Sequence, residues 1–272
     1  TITVTYGGKN YTSNASSNTT FTATYGEKWT ASIAGATGYN PGKLSATSGT
    51  ITGAVTISAA AATIKTFTLS FGATTNQTYV ATIGGTAKTA TSSATSYTVN
   101  YGTKYSVAYT ASSATAAYSY TASSAVSGTV TANTSIGAKS ATATLRYYTI
   151  SVGATTNQTY KLTLTKSSTY GGTVPSYTST ATSTAQSVSV PYGTTYSIAY
   201  TASSATAQYT YTASSSVSGT VTAATSIAAK SATATVRNYT LTLASVANGY
   251  WQVNGVTKAA GSYSYAYGTS LK

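Results

Sequence analysis

Residues 73–79 read ATTNQTY, and the same seven letters return unchanged at 154–160. Two further stretches recur at similar spacing, namely YTASSATA at 109–116 and 200–207, and SIGAKSATAT at 135–144, which returns as SIAAKSATAT at 226–235. Self-similarity at a roughly fixed period is typical of proteins in which each repeat is one supersecondary unit. The repeats therefore predict a chain of several small modules rather than one large domain.

Two short markers set the boundaries of these modules. Tyr-Gly occurs four times, beginning at Tyr25, Tyr101, Tyr192 and Tyr267. Ser-Gly-Thr follows in three copies, beginning at Ser48, Ser127 and Ser218. The markers predict β-repeats at 1–65, 66–146 and 147–237 and a partial β-repeat at 238–272.

The periodicity within a repeat is two, which is the period of a β-strand. It is clearest in TFTLSF at 66–71, YTISV at 148–152 and YTLTL at 239–243. Shorter strands are predicted in the second repeat at 97–99, 105–109, 118–121, 128–130 and 141–145, separated by glycine-containing turns. Thr, Val, Ile and Tyr all favour pleated structure. The predicted fold is all-β, with tandem small β-sandwich or β-grasp-like repeat domains in an elongated array.

The chain is positively charged because acidic residues are almost absent from it. It has 14 Lys and Arg against a single Asp or Glu, giving a net charge of +13. The basic residues lie singly along the sequence, with no basic run or amphipathic helix to gather them, so we expect no specific nucleic-acid partner. No apolar run approaches the roughly 20 residues that a membrane-spanning helix needs, so we expect no membrane span.

The residues that most enzymes use are scarce. The sequence has no His, no Cys and one acid, Glu27, so it offers neither paired carboxylates nor a thiolate or carboxylate metal site. We therefore expect no enzyme activity, no catalytic, metal or cofactor-binding residues, and no cofactor. Glu27 follows Tyr25-Gly26 where the other repeats have Thr, which favours a solvated turn residue over the buried acid of an isopeptide cross-link.

The first repeat resembles a known family. Tyr25-Gly-Glu-Lys-Trp29, Gly38-Tyr39-Asn40, the run SGTITG at 48–53 and Val55-Thr56-Ile57 together are similar to a divergent InlB B-repeat (Listeria–Bacteroides repeat). The second and third repeats replace Gly-Tyr with Tyr-Ser-Tyr and Tyr-Thr-Tyr. The resemblance implies a terminal strand at 55–57. It also implies a tandem spacer or adhesion module of a bacterial surface protein or a phage structural protein.

Tyrosine is the one residue type whose placement indicates an interaction. The sequence has 26 Tyr against three Phe. Several aromatic residues alternate along predicted strands or adjoin each other, so that pairs share one face of a sheet. Such a face either packs within the fold or, if exposed, stacks on sugar rings or on a neighbouring subunit. The candidate interaction face comprises Tyr118, Tyr120, Tyr209, Tyr211, Tyr250, Trp251, Tyr263 and Tyr265.

Two functions follow as hypotheses. The first is a non-catalytic structural protein, a segment or subunit of an extracellular surface fibre, a filament or a phage virion fibre. Its partners would be further copies of the chain or a larger fibre or virion assembly. Its partial repeat at 238–272 would be either part of a longer chain or completed by another subunit. The alternative is a carbohydrate-binding adhesin that holds glycans on the candidate interaction face.

Overall fold

The computed structural model describes residues 1–13, 17–175 and 180–272. Every secondary-structure element assigned within these ranges is a β-strand, which confirms the all-β prediction. The chain divides into two compact units. The first comprises Thr1–Ser113 and Tyr120–Thr142, and the second comprises Ala114–Ser119 and Ala143–Lys272.

The four repeats predicted from the sequence meet at single residues. Their boundaries fall at Lys65, Arg146 and Arg237, each a single residue between two strands. The second compact unit contains the third and fourth repeats together with residues 114–119 and 143–146 of the second repeat. The number of independently folding domains stays a prediction.

The first repeat contains one sheet of four strands. Its strands are β1 (Ile2–Tyr6), β2 (Lys9–Ser13), β3 (Lys28–Ile33), β4 (Tyr39–Asn40), β5 (Ser48–Thr50) and β6 (Thr63–Ile64). The order in the sheet is β2-β1-β3-β5, with every pair antiparallel, and β4 pairs separately with β6. A hairpin joins β1 to β2 at Gly7 and Gly8, whose positive φ angles of 54° and 72° suit glycine.

The second repeat contains two main sheets. Its strands are β7 (Thr66–Phe71), β8 (Thr74–Thr75), β9 (Gln77–Ile83), β10 (Thr86–Ala87), β11 (Thr95–Asn100), β12 (Lys104–Ala111), β13 (Tyr118–Thr121), β14 (Val126–Thr129), β15 (Thr134–Ile136), β16 (Lys139–Ser140) and β17 (Thr142–Leu145). One sheet has the order β10-β9-β12-β14 and is antiparallel. The other has the order β11-β7-β15, in which β7 runs antiparallel to β11 and parallel to β15.

The core of the second repeat lies between these two sheets. Leu69 and Phe71 of β7 pack in one cluster with Tyr79 and Ala81 of β9 and Val107 of β12. All five side chains are at most 3% exposed. Because alternate residues of each strand face this cluster, the period of two in the sequence becomes a two-layer β-sandwich. The second repeat thus adopts the sandwich form of the predicted fold.

The third repeat has the same arrangement. Its strands are β18 (Tyr147–Val152), β19 (Thr155–Thr156), β20 (Gln158–Thr165), β21 (Gln186–Pro191), β22 (Thr195–Ala202), β23 (Tyr209–Thr212), β24 (Val217–Thr220), β25 (Thr225–Ile227), β26 (Lys230–Ser231) and β27 (Thr233–Val236). The sheets have the orders β21-β18-β25 and β20-β22-β24. Ile150, Tyr160, Leu162 and Ile198 lie in the core between them and are at most 1% exposed.

The fourth repeat is the smallest. Its strands are β28 (Asn238–Leu243), β29 (Trp251–Val253), β30 (Val256–Lys258) and β31 (Gly261–Ala266). β28 pairs with β31 and β29 pairs with β30, both antiparallel. Leu243 and Val253 are each 7% exposed and form its buried centre.

One expectation for the first repeat is wrong. The resemblance to the InlB B-repeat implied a strand at Val55-Thr56-Ile57, and no strand forms there. In the second repeat the corresponding residues form β15, which pairs with the central strand β7. The described residues of the first repeat contain no strand of the β7 type, so residues 55–57 lack the backbone partner that would hold them in a sheet.

Candidate functional site: the junction clamp

The most distinctive repeated feature lies where one repeat meets the next. In the second compact unit, the backbone N–H of Arg237 donates to the Gln208 carbonyl at 2.8 Å. The Arg237 carbonyl in turn accepts from the backbone N–H of Tyr267, also at 2.8 Å. One linking residue is thereby bonded to the turn of the third repeat and to the Tyr-Gly marker of the fourth.

Side chains reinforce this connection. The Arg237 guanidinium donates from Nη1 to the Thr206 carbonyl at 2.9 Å and lies 5.2 Å from the centre of the Tyr239 ring. The Tyr239 hydroxyl donates to the Ala207 carbonyl at 2.7 Å. The Tyr239 and Tyr267 rings are tilted neighbours with centroids 6.2 Å apart. We call this set of contacts the junction clamp.

A second copy of the junction clamp lies in the same compact unit. Arg146 Nη1 donates to the Thr115 carbonyl at 2.8 Å, and the Tyr148 hydroxyl donates to the Ala116 carbonyl at 2.7 Å. The Arg146 guanidinium lies 5.2 Å from the centre of the Tyr148 ring. The backbone N–H of Tyr192 donates to the Arg146 carbonyl at 2.8 Å. The two copies agree in every partner and to within 0.1 Å in each of these distances.

The first compact unit contains a simpler form. The Lys65 N–H donates to the Gly38 carbonyl and its carbonyl accepts from Tyr101, both at 2.8 Å. Phe67 takes the place of the hydroxyl-donating tyrosine, with its ring centroid 6.4 Å from that of Tyr101. Gly38 has a φ of 81°, and a Cβ there would meet the Tyr101 ring at 2.2 Å. Glycine is therefore required where the aromatic ring covers this turn.

The junction clamp can hold two backbone segments in place, but it contains few groups that could take part in a reaction. A hydrogen bond from a charged donor contributes roughly 1.5–3 kcal/mol when buried, and a cation–π contact roughly 0.5–1 kcal/mol when exposed. Since these contacts are exposed, their contributions lie at the lower end. Together they fix two backbone segments at several points, which restricts the hinge that a single linking residue would otherwise provide.

Further tyrosines pack around Tyr192, which belongs to the Arg146 copy of the junction clamp. The Tyr170 ring meets the Tyr192 ring edge-on at a centroid distance of 4.7 Å, and Tyr118 lies 6.3 Å from Tyr170. Desolvation, followed by the neighbouring hydroxyls of Tyr170 and Tyr148, raises the pKa of Tyr192. The Tyr192 hydroxyl therefore stays neutral at physiological pH.

The structure brings together only part of the candidate interaction face. Tyr118 belongs to the tyrosine cluster just described, and Tyr120 is half-buried. Tyr209 and Tyr211 share one face of β23, as predicted, with their ring centroids 6.3 Å apart. Both are half-buried, so this pair packs largely within the fold.

The C-terminal members of the candidate interaction face differ in exposure. Tyr250 is 71% exposed and Trp251 is 39% exposed, although the Trp251 indole N–H donates to the Ala244 carbonyl at 2.8 Å. Tyr263 and Tyr265 are half-buried on β31. Whether any of these residues binds a ligand stays a prediction.

A buried polar site escaped the sequence analysis. Gln158 is 2% exposed, its Nε2 donates to Ser214 Oγ and its Oε1 accepts from the Ser214 backbone N–H, both at 2.8 Å. Gln77 and Ser123 form the same pair in the second repeat, at 2.9 and 2.8 Å. Both glutamines stand in ATTNQTY, so the unchanged recurrence of that heptapeptide was the available signal. The partners lie 46 and 56 residues further along the chain, which sequence periodicity does not reveal.

In the part of the chain that the structure describes, neither Glu27 nor a cluster of metal-binding side chains provides a second candidate site. Glu27 is exposed, in agreement with a solvated turn residue. Residues 1–13, 17–175 and 180–272 hold no group of three or more His, Cys, Asp or Glu placed to bind a metal. The same ranges contain no helix with the length and apolar character to cross a bilayer.

Comparisons with known proteins leave the family open. No protein-family model matches the chain, and no curated protein does. Among solved structures, the Bacillus anthracis TIE protein is similar over 76% of this chain, with 10% sequence identity and a TM-score of 0.33. This chain spans 41% of the length of that one. A likeness at this level carries no conclusion about fold or function.

Proposed function

We propose that the chain is a non-catalytic structural protein, a repeat-built segment or subunit of an extracellular surface fibre, a filament or a phage virion fibre. The observation that supports this most directly is the junction clamp, because Arg146 and Arg237 repeat the same contacts at successive boundaries. A protein whose repeats only carried separate binding sites would gain nothing from fixed linking residues. A spacer gains length at a defined angle.

Composition supports the non-catalytic part of the proposal. A chain with one acid and no His has neither the histidine nor the paired carboxylates that enzymes use most often as general acids and bases. The two buried glutamines, Gln77 and Gln158, are bonded to Ser123 and Ser214 within the fold. The InlB B-repeat resemblance fits the same role and remains part of the proposal.

Immunogold electron microscopy of the cells or virus particles that make the protein tests its location. We expect gold label along extended fibres at the cell surface or on the virion. Label confined to the cell interior would contradict the proposal. A pre-immune serum and a strain or virus lacking the gene provide the controls.

A carbohydrate-binding adhesin is the second candidate, favoured by the exposure of Tyr250 and Trp251. Adjacent aromatic rings of this kind can stack on sugar rings. On a glycan array, Trp251→Ala would abolish any specific signal, whereas Tyr25→Ala, which removes a 78% exposed tyrosine in the first repeat, would not. An array without hits for the folded protein rejects this candidate.

A further inference from the structure

Two asparagines with the same sequence context occupy the same exposed turn in the second and third repeats. Asn76 joins β8 to β9, Asn157 joins β19 to β20, and both residues are exposed. Their φ angles are 56° and 57°, in the left-handed region that Asn adopts more readily than most residues. The backbone conformation therefore accounts for asparagine at this position, but it places no requirement on the side chains that follow.

The fold fixes the backbone of this turn and leaves the side-chain amide in solvent. The Asn76 carbonyl accepts from the backbone N–H of Ser112, and the Asn157 carbonyl accepts from that of Ser203, both at 2.9 Å. Neither asparagine amide forms a hydrogen bond with another residue in the described part of the chain. Each amide is thus presented on a rigid turn where another macromolecule can reach it.

The threonine two residues after each asparagine has a hydroxyl that the fold does not use. Thr78 is exposed on β9 and Thr159 is half-buried on β20, and neither hydroxyl bonds to another described residue. The intervening Gln77 and Gln158 are accounted for by their buried bonds to serine. Asn-Gln-Thr matches N-x-[ST] with x other than Pro, which is the acceptor sequence, or sequon, for N-linked saccharides.

The structure distinguishes these two sequons from the others. Sequons occur at seven of the eleven asparagines, and several arise by chance in a chain so rich in Ser and Thr; the seven begin at Asn10, Asn14, Asn18, Asn76, Asn133, Asn157 and Asn238. Asn14 lies outside the described residues. Asn10 and Asn133 accept hydrogen bonds through Oδ1, at 2.8 and 2.9 Å, and Asn238 lies within β28. Among the described sequons, only the two in ATTNQTY recur in the same exposed turn.

We propose that Asn76 and Asn157 carry N-linked saccharides. The co-reactant is a saccharide joined through phosphate to a lipid carrier. Nδ2 forms a bond to the anomeric carbon of the saccharide while the bond from that carbon to the phosphate oxygen breaks. The lipid phosphate leaves with the electron pair, and Nδ2 gives up one proton. The inference rests on the proposed extracellular location, because N-linked saccharides belong to surface loops of secreted proteins.

Mass spectrometry of the protein purified from the cells that make it tests the proposal. Trypsin cuts after Lys and Arg and releases peptides 66–88 and 147–161, each with a single asparagine, Asn76 or Asn157. Both peptides should carry an added saccharide mass, which electron-transfer fragmentation should locate on the asparagine. Asn248 is the matched control, since it is exposed with a φ of 57° but precedes Gly-Tyr, and it should be unmodified. Peptides found only at their unmodified masses, or with saccharide only on Ser or Thr, overturn the proposal.

Thr159→Val, made in the same cells, separates the hydroxyl of the sequon from the shape of the turn. Val keeps the size and the strand preference of Thr, and Asn157 is unchanged. Peptide 147–161 should lose its saccharide, while peptide 66–88 of the same molecules should keep it and so show that the variant was exported. Thr163→Val, at an exposed position further along β20, should keep both saccharides. A saccharide that persists on Asn157 in Thr159→Val overturns the proposal.

The two proposals fail in different ways. Unmodified peptides from protein that immunogold locates on surface fibres would overturn the saccharide sites and leave the proposed function in place. Label confined to the cell interior would contradict the proposed function, whatever the mass of the two peptides.

Discussion

Tyr160 and Tyr200 face each other across β20 and β22 with ring centroids 6.4 Å apart, but their hydroxyls differ in environment. The Tyr160 hydroxyl donates to the Thr184 carbonyl at 2.8 Å. The Tyr200 hydroxyl is buried and has no hydrogen-bond partner among the described residues. A buried polar group without a partner lowers the free energy of unfolding.

Replacing Tyr200 by Phe should therefore stabilise the protein, by about 1 kcal/mol. The phenyl ring keeps the contact with Lys230, whose Nζ lies 5.3 Å from the ring centre. Tyr160→Phe, on the facing strand, should destabilise by about 1 kcal/mol because it removes a satisfied bond. Urea unfolding of both variants checks the pair. Equal effects of the two substitutions would show that the hydroxyls are in equivalent environments.

The glycine of each Ser-Gly-Thr lies under an aromatic ring of the neighbouring strand. A Cβ added at Gly219 would come within 2.8 Å of Tyr196 Oη. Gly219→Ala should cost about 1–2 kcal/mol, because the ring must move off the strand. Gly137→Ala is the control, since its Cβ would meet open space and Ala228 holds the same place in the third repeat. A thermal unfolding midpoint that Gly219→Ala leaves unchanged would contradict the ring's role.

The buried glutamine stabilises the third repeat through Ser214. Gln158→Ala would leave the Ser214 N–H and hydroxyl without this partner, so we expect a loss of about 2 kcal/mol in the free energy of unfolding. Gln252→Ala, at an exposed position on β29, should change stability by less than about 0.5 kcal/mol. Denaturant titration of both variants measures the difference. A Gln158→Ala variant as stable as its control would mean that water replaces the amide at no cost.

Stability should fall in alkaline solution. Desolvation raises the pKa of Tyr109, with a further contribution from Tyr79, and desolvation raises that of Tyr200. Above the ordinary tyrosine value of 10.0 the unfolded chain ionises first and binds fewer protons. The free energy of unfolding therefore decreases as pH rises through that region, while the tyrosine contribution is fully present below it.

The double variant Tyr109→Phe, Tyr200→Phe isolates this effect from the titration of lysines. Between about pH 9 and pH 11.5 its stability should fall less steeply than that of the wild type. Tyr25→Phe, an exposed control, should follow the wild type. Parallel curves for all three proteins would contradict the assignment.

Local patterns predicted the strands well. The predicted 118–121 agrees with β13 as Tyr118–Thr121, and the predicted 105–109 lies inside β12, Lys104–Ala111. These segments show the period of two and end at glycine or serine turns, so their information is local. Residues 55–57 have the same local character and yet form no strand, because a strand also needs a partner.

The candidate site was less accessible to prediction. Tyr118 was predicted to share one face with Tyr120, and its contact with Tyr170, more than 50 residues away in the sequence, was not predicted. Arg146 and Arg237 looked like isolated charges, since their partners are backbone carbonyls about 31 residues earlier. Backbone acceptors leave no signature in side-chain patterns. The sequence signal for the clamp was instead the recurrence of Arg followed two residues later by Tyr.

We infer that the junction clamp holds the fourth repeat in a fixed position against the third. To test this, spin labels are attached at Thr163→Cys on β20 and at Thr257→Cys on β30. Pulsed electron spin resonance on the full chain then measures the distribution of distances between the two labels. We predict one narrow distribution. The distribution should broaden in the double variant that combines Arg237→Ala with Tyr239→Phe, and it should stay narrow in the control Tyr250→Phe. A distribution equally broad in the wild type, the double variant and the control would contradict a rigid junction, and with it the proposed role of this chain as a spacer.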